Sequence, residues 1–114
     1  MTDLTKLEKI EQVPSLLQAS QERPVVLFKH SLICPTSERA YQAFRRFLAR
    51  REGDAALFAL VEIQRARDVS KEIARLTGVQ HESPQVILLR DGRPVWNASH
   101  LDITEQALED ALTA

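Results

Sequence analysis

Pro24-Val25-Val26-Leu27-Phe28-Lys29-His30-Ser31-Leu32-Ile33-Cys34-Pro35-Thr36-Ser37 is the stretch that organises the chain. Val25 to Lys29 is a short β-branched apolar run, the pattern of a central strand buried on both faces. A brief loop follows, and Cys34-Pro35 then opens a helix. Pro35 suits the first helical position, because it has no N–H to leave unpaired there and its φ is already helical. Cys34 thereby becomes the N-cap, with its sulfur near the free N–H groups of Thr36 and Ser37. Those donors and the positive end of the helix dipole favour a thiolate. Ser37 stands where a dithiol site would carry a second cysteine, so the motif reads C-x-x-S, with one thiol. A structural cysteine is expected inside a strand or on the inner face of a helix. A strand-to-helix junction backed by proline points to a reactive sulfur.

Working outward, Ser37 to Arg51 places Ala40, Phe44, Phe47 and Leu48 on one stripe and Glu38, Arg39, Gln42, Arg45 and Arg46 on the other, an amphipathic helix that Gly53-Asp54 ends. Ala56 to Val61 is a second buried strand. Val69 to Thr77 reads as a helix capped by Asp68, with Val69, Ile73 and Leu76 inward and Gly78 as a left-handed stop. Pro84 begins the strand Gln85 to Leu89, Asp91-Gly92 is a two-residue hairpin turn, and Pro94 to Ala98 returns as an edge strand. The last helix starts near Thr104, where Ile103 and Leu108 have the spacing of a hydrophobic staple. Upstream, Glu11 to Ser20 has Val13, Leu16 and Leu17 at helical spacing with Pro14 in its first turn, and Thr5 to Glu8 suggests a short edge strand. From Val25 the order is β-α-β-α-β-β-α. A parallel βαβ half followed by a hairpin and a closing helix is the thioredoxin layout: α/β, a central mixed sheet of four to five strands flanked by helices.

A proline heading a central strand needs special geometry, and a cis Ser83-Pro84 bond in a tight turn supplies it. In this layout that turn faces Cys34, where its backbone groups would pair with an extended substrate.

Composition bounds the function. The 114 residues suit one domain, 1–114, with 44% hydrophobic and 27% charged residues, the balance of an ordinary globular chain. A net charge of −1 gives no reason to expect nucleic acid or an anionic membrane as partner. No apolar run approaches the roughly 20 residues that cross a bilayer. Met1-Thr2-Asp3-Leu4-Thr5-Lys6 lacks the apolar centre of a signal peptide. One cysteine allows no internal disulfide, which fits the cytoplasm.

Phe28-Lys29-His30-Ser31-Leu32-Ile33-Cys34-Pro35-Thr36-Ser37 closely resembles the F-K-H-S-x-x-C-P-x-S motif of the YtxJ-like family, the monothiol bacilliredoxins. The resemblance runs on through Ser83-Pro84-Gln85-Val86 and the Asp91-Gly92 hairpin to the final helix. It implies a thioredoxin-like oxidoreductase that removes bacillithiol, a low-molecular-weight thiol, from the mixed disulfides of client proteins. By the same resemblance Cys34 is the nucleophile and Pro84 the cis proline. The bacillithiol co-substrate is expected along Lys29, His30, Pro35, Thr36, Ser37, Ser83 and Pro84. Leu32-Ile33 replaces the small polar residues often found in the family's loop, which bears on the choice of partner.

Among these, Lys29 and His30 are the cations near the sulfur, suited to favouring a thiolate and attracting an anionic thiol. Ser37 is able to donate a hydrogen bond to the sulfur but not to displace it. His81 and His100 share no metal-binding spacing with other ligands, and Trp96 reads as hairpin packing. Three other uses of the same residues stay open: a peroxidase without an evident arginine clamp, a thiol-dependent [2Fe–2S] site, and a client-binding adaptor without turnover.

Overall fold

The run that begins at Val25 forms the middle strand of a five-stranded sheet. The computed structural model describes residues 3–51 and 55–114. Its elements are β1 (Leu4–Lys6), α1 (Gln12–Ala19), β2 (Val25–His30), α2 (Pro35–Ala49), β3 (Leu57–Glu62), α3 (Arg67–Thr77), β4 (Gln85–Arg90), β5 (Arg93–Ser99) and α4 (Glu105–Thr113). Two 3₁₀ turns, Ile63–Arg65 and His100–Asp102, join β3 to α3 and β5 to α4. The strand order is β1-β3-β2-β4-β5. β2 runs parallel to β3 and antiparallel to β4, so both its edges are paired and all six of its residues are buried.

Alternation along β2 divides the core in two. Val26 and Phe28 face Phe44 and Phe47 of α2 and Leu108 of α4. Val25 and Leu27 face Val13 and Leu16 of α1 and Val69 and Ile73 of α3. A slip of one residue would exchange these two sets, so burial on both faces fixes the register.

Most local expectations hold. Asp91 and Gly92 both have positive φ, 53° and 78°, as the tight hairpin requires. Gly78 ends α3 at φ 74°. Thr104 caps α4 by accepting from Ala107 N–H at 3.0 Å, and Ile103 and Leu108 are buried together as a staple. Trp96 is half-buried against the α2 side of the core. β5 lies at the sheet edge, with a register shift that passes from the Leu88–Trp96 pair to Leu89–Pro94.

Three boundaries are corrected. The first strand is Leu4–Lys6, and Leu7 turns inward to 2% exposure. α3 begins at Arg67 with Ala66 as its N-cap, because the 3₁₀ turn ahead of it already winds the chain and Ser70 N–H bonds Ala66 C=O. Asp68 sits in the first turn instead, accepting from Val69 N–H at 2.8 Å. α2 reaches Ala49, and the expected stop at Gly53-Asp54 lies outside the described residues.

Candidate active site

β2 delivers the chain to one end of the sheet, where residues 31–33 turn into α2. Cys34 occupies the N-cap with extended backbone (φ −106°, ψ 120°) and Pro35 is the first helical residue. The Cys34 thiol is partly exposed and makes no capping hydrogen bond, while its carbonyl accepts from Glu38 N–H at 3.0 Å. Ile33 beside it is 81% exposed and Leu32 is 42% exposed. The sulfur therefore sits at an apolar, solvent-facing rim.

Beneath the loop, Ser37 organises a buried network. Its Oγ accepts from Ser31 N–H at 2.8 Å and lies 2.8 Å from His30 Nδ1. The hydroxyl keeps one proton and one further acceptor site, so its bond to Nδ1 runs in whichever direction the imidazole tautomer sets. Ser37 is thus bonded to the loop and to His30 and holds the turn below Cys34. His30 stacks on Tyr41 with ring centroids 4.5 Å apart, and its Nε2 is 3.7 Å from Glu38 Oε2. Burial pushes its pKa below the ordinary value, against the opposing pull of Glu38 and Glu62.

Gln64 was not singled out from sequence. From the 3₁₀ turn after β3 it accepts from Leu32 N–H at 2.8 Å and donates to Ser31 Oγ at 3.0 Å. It is the second side chain, with Ser37, that bonds the loop carrying Cys34. Nothing in its local sequence marks this role, since its partners are more than 30 residues away.

The structure sets Ser83 and Pro84 at the same end. Lys29 pairs with Gln85 across the β2–β4 ladder, so the residues just before Gln85 lie where β2 ends and the Cys34 loop leaves. The Ser83-Pro84 peptide is cis and Pro84 is buried. Pro84 C=O accepts from His100 N–H at 3.2 Å, which ties this turn to the 3₁₀ turn after β5.

Lys29 is placed differently. It alternates to the α3 side of the sheet at 0% exposure, where its Nζ is 3.1 Å from His81 Nδ1, and Ser70 Oγ lies 3.3 Å from the same nitrogen. Burial pushes the Lys29 amine down to about 8. Thr36 is half-buried in the first turn of α2 and opens onto a surface groove.

These features coincide with known proteins. The family model described as monothiol bacilliredoxin BrxC matches residues 5–108. A solved structure described as a candidate oxidoreductase with a thioredoxin fold is 37% identical at a TM-score of 0.81, over 95% of this chain and 92% of that one. The thioredoxin of Malassezia sympodialis superposes at a TM-score of 0.76 with 14% identity, over 99% of this chain and 90% of that one. Reduced Schistosoma mansoni thioredoxin superposes at 0.75 with 16% identity, over 98% and 97%.

Proposed function

Since the chain belongs to the monothiol bacilliredoxin family, we propose that it removes bacillithiol from protein mixed disulfides in the cytoplasm through Cys34. It is a thiol-disulfide oxidoreductase of thioredoxin fold. The observation that carries the reading is the position of Cys34, a partly exposed thiol at the N-cap of α2. Ser37 stands at the last position of the C-x-x-S motif, where a dithiol site would carry its second cysteine, and is bonded to His30 and Ser31.

The Cys34 thiolate attacks the bacillithiol sulfur of the client mixed disulfide. One S–S bond forms as the other breaks, and the client leaves as a thiolate that takes a proton from solvent. The protein then carries bacillithiol on Cys34. With one cysteine in the chain, no internal thiol resolves this adduct. A second bacillithiol thiolate attacks the bacillithiol sulfur of the adduct, releasing bacillithiol disulfide and restoring the Cys34 thiolate. The peptide edges at Ser83 and Pro84 border the position of the incoming disulfide, and Ile33 and Leu32 meet the client surface.

Mass spectrometry of a bacillithiolated client tests this. Wild-type protein removes the modification and gains one bacillithiol on Cys34, which excess bacillithiol clears; Cys34→Ser does neither. Repair of the client by Cys34→Ser at the wild-type rate defeats the proposal.

A further inference from the structure

A groove of about 380 Å³ starts at Thr36, two residues beyond Cys34, and runs along α2 beneath the 3₁₀ turn His100–Asp102. Ala40 and Ala43 form part of its floor, and Arg39, Arg46, His100 and Leu101 stand along its walls. Its volume lies in the small-molecule range, roughly 300–1,000 Å³. A larger depression farther along α2, lined by Arg50, Arg51, Glu105 and Glu109, is different in character. There Arg50 reaches Glu105 at 3.0 Å and Arg51 reaches Glu109 at 2.9 Å, so its charges are matched.

In the groove beside Cys34 the charges are not matched. Arg46 is bonded to Glu105 at 2.8 Å. Arg39 is exposed, and among the described residues it has no hydrogen-bonding or ionic partner. One uncompensated guanidinium therefore lines a cavity of small-molecule size that begins at Thr36, two residues beyond the thiol. His100 adds a second, independent sign. It is exposed and holds a left-handed backbone at φ 54°, a conformation that costs energy in a residue other than glycine and that recurs at ligand sites. Its N–H is anchored to Pro84 C=O at 3.2 Å, so one wall of the groove is joined to the turn that borders the disulfide. Leu101 beside it is 70% exposed, an apolar cover with nothing packed over it.

Lys29 and His30 are the cations that sequence places nearest the thiol, yet they are 0% and 4% exposed and bonded to His81 and Ser37. Neither is open to an anion from solvent, whereas Arg39 is exposed.

We propose that this groove holds the carboxylate-bearing body of the small thiol whose sulfur exchanges at Cys34, with Arg39 pairing the carboxylate and Leu101 covering the apolar part. The inference rests on the thiol-transfer reading above and assigns that reaction a specificity residue. The exchange is a displacement: the Cys34 thiolate takes one half of the small disulfide, and the other half departs as thiolate. Arg39 acts on the docked half and takes no part in breaking the bond.

The test uses two symmetric disulfides, that of mercaptosuccinate, with two carboxylates per thiol, and that of 2-mercaptoethanol, with none. Adduct formation on Cys34 is followed by mass spectrometry over a range of disulfide concentrations. Wild-type protein prefers the mercaptosuccinate disulfide. Arg39→Gln lowers the ratio of the two second-order rates about fivefold, the scale of one charge-assisted contact at an exposed site, chiefly by raising KM for the anionic disulfide. Arg45→Gln, which removes the same charge from the solvent face of α2, leaves the ratio within twofold of wild type. An unchanged ratio in Arg39→Gln, or equal losses in Arg39→Gln and Arg45→Gln, overturns the groove while leaving client repair by Cys34 intact. Loss of the Cys34 adduct with both disulfides in wild type overturns the transfer reading itself.

Discussion

Ser37 Oγ lies 2.8 Å from Nδ1 of His30 and 2.8 Å from the backbone nitrogen of Ser31, all three groups being buried. The serine that closes the C-x-x-S motif thus holds the floor of the loop. That arrangement makes Ser37 important to folding and peripheral to the sulfur chemistry. Ser37→Ala strands the Ser31 N–H and the His30 ring nitrogen together, and each buried polar group left without a partner costs about 1–3 kcal/mol. Urea unfolding is therefore expected to show a loss of about 2–4 kcal/mol, while thiol transfer by the folded fraction falls only a few-fold. An unfolding midpoint equal to that of wild type would remove the structural role assigned to Ser37.

Lys29 gives the fold a pH signature. Its amine is pushed from its usual 10.5 to about 8 by burial. Between those values the unfolded chain holds a proton that the folded one has released, so this residue lets stability rise as pH climbs from 8 to 10.5. Below 8 both states are charged and the full cost of the buried cation is present, on the order of 3 kcal/mol. Lys29→Met removes that dependence. Relative to Lys29→Met, wild type should gain stability between pH 7 and pH 10, measured by denaturant titration at both. A constant difference between the two proteins across this range would show that the amine is not desolvated.

Thr104 supports one side of the groove. Its hydroxyl oxygen accepts from Ala107 N–H at 3.0 Å, and the residue lines the cavity beside Ile103 and Glu105. Thr104→Ala should cost about 1 kcal/mol, the usual value of an N-cap, and Thr104→Asp should restore it. Thermal melts of the two variants check this; if both melt like wild type, the cap is dispensable.

The fold was legible wherever local chemistry and tertiary structure agree. Val25 to Lys29 declared a central strand because the apolar run Val25-Val26-Leu27-Phe28 shows no alternation with polar residues. Cys34-Pro35, Asp91-Gly92 and Thr104 each carry a backbone requirement that few residue types meet. The 3₁₀ turns at Ile63–Arg65 and His100–Asp102 were not legible, since three residues are too few to show a period. Missing the first one moved the start of α3, because its winding makes Ala66 the cap and leaves Asp68 inside the helix. The thiol itself was readable from sequence. Its supports, Gln64 and the Ser37–His30 bond, were not, because they arise only when distant segments meet. The Arg39 groove has the same origin: Arg39 reads as a solvated helix residue until the second turn packs across α2.

The outer strands of the sheet bear on how the molecule behaves in a crowded solution. β1 has only three residues, too short to offer another chain a long template. β5 is longer, but Pro94 contributes no N–H, and the shift between Leu88 and Leu89 breaks the regular spacing of its backbone groups. Blunted margins at both ends of the sheet leave a foreign strand little regular backbone to add onto, so the edges resist pairing between chains.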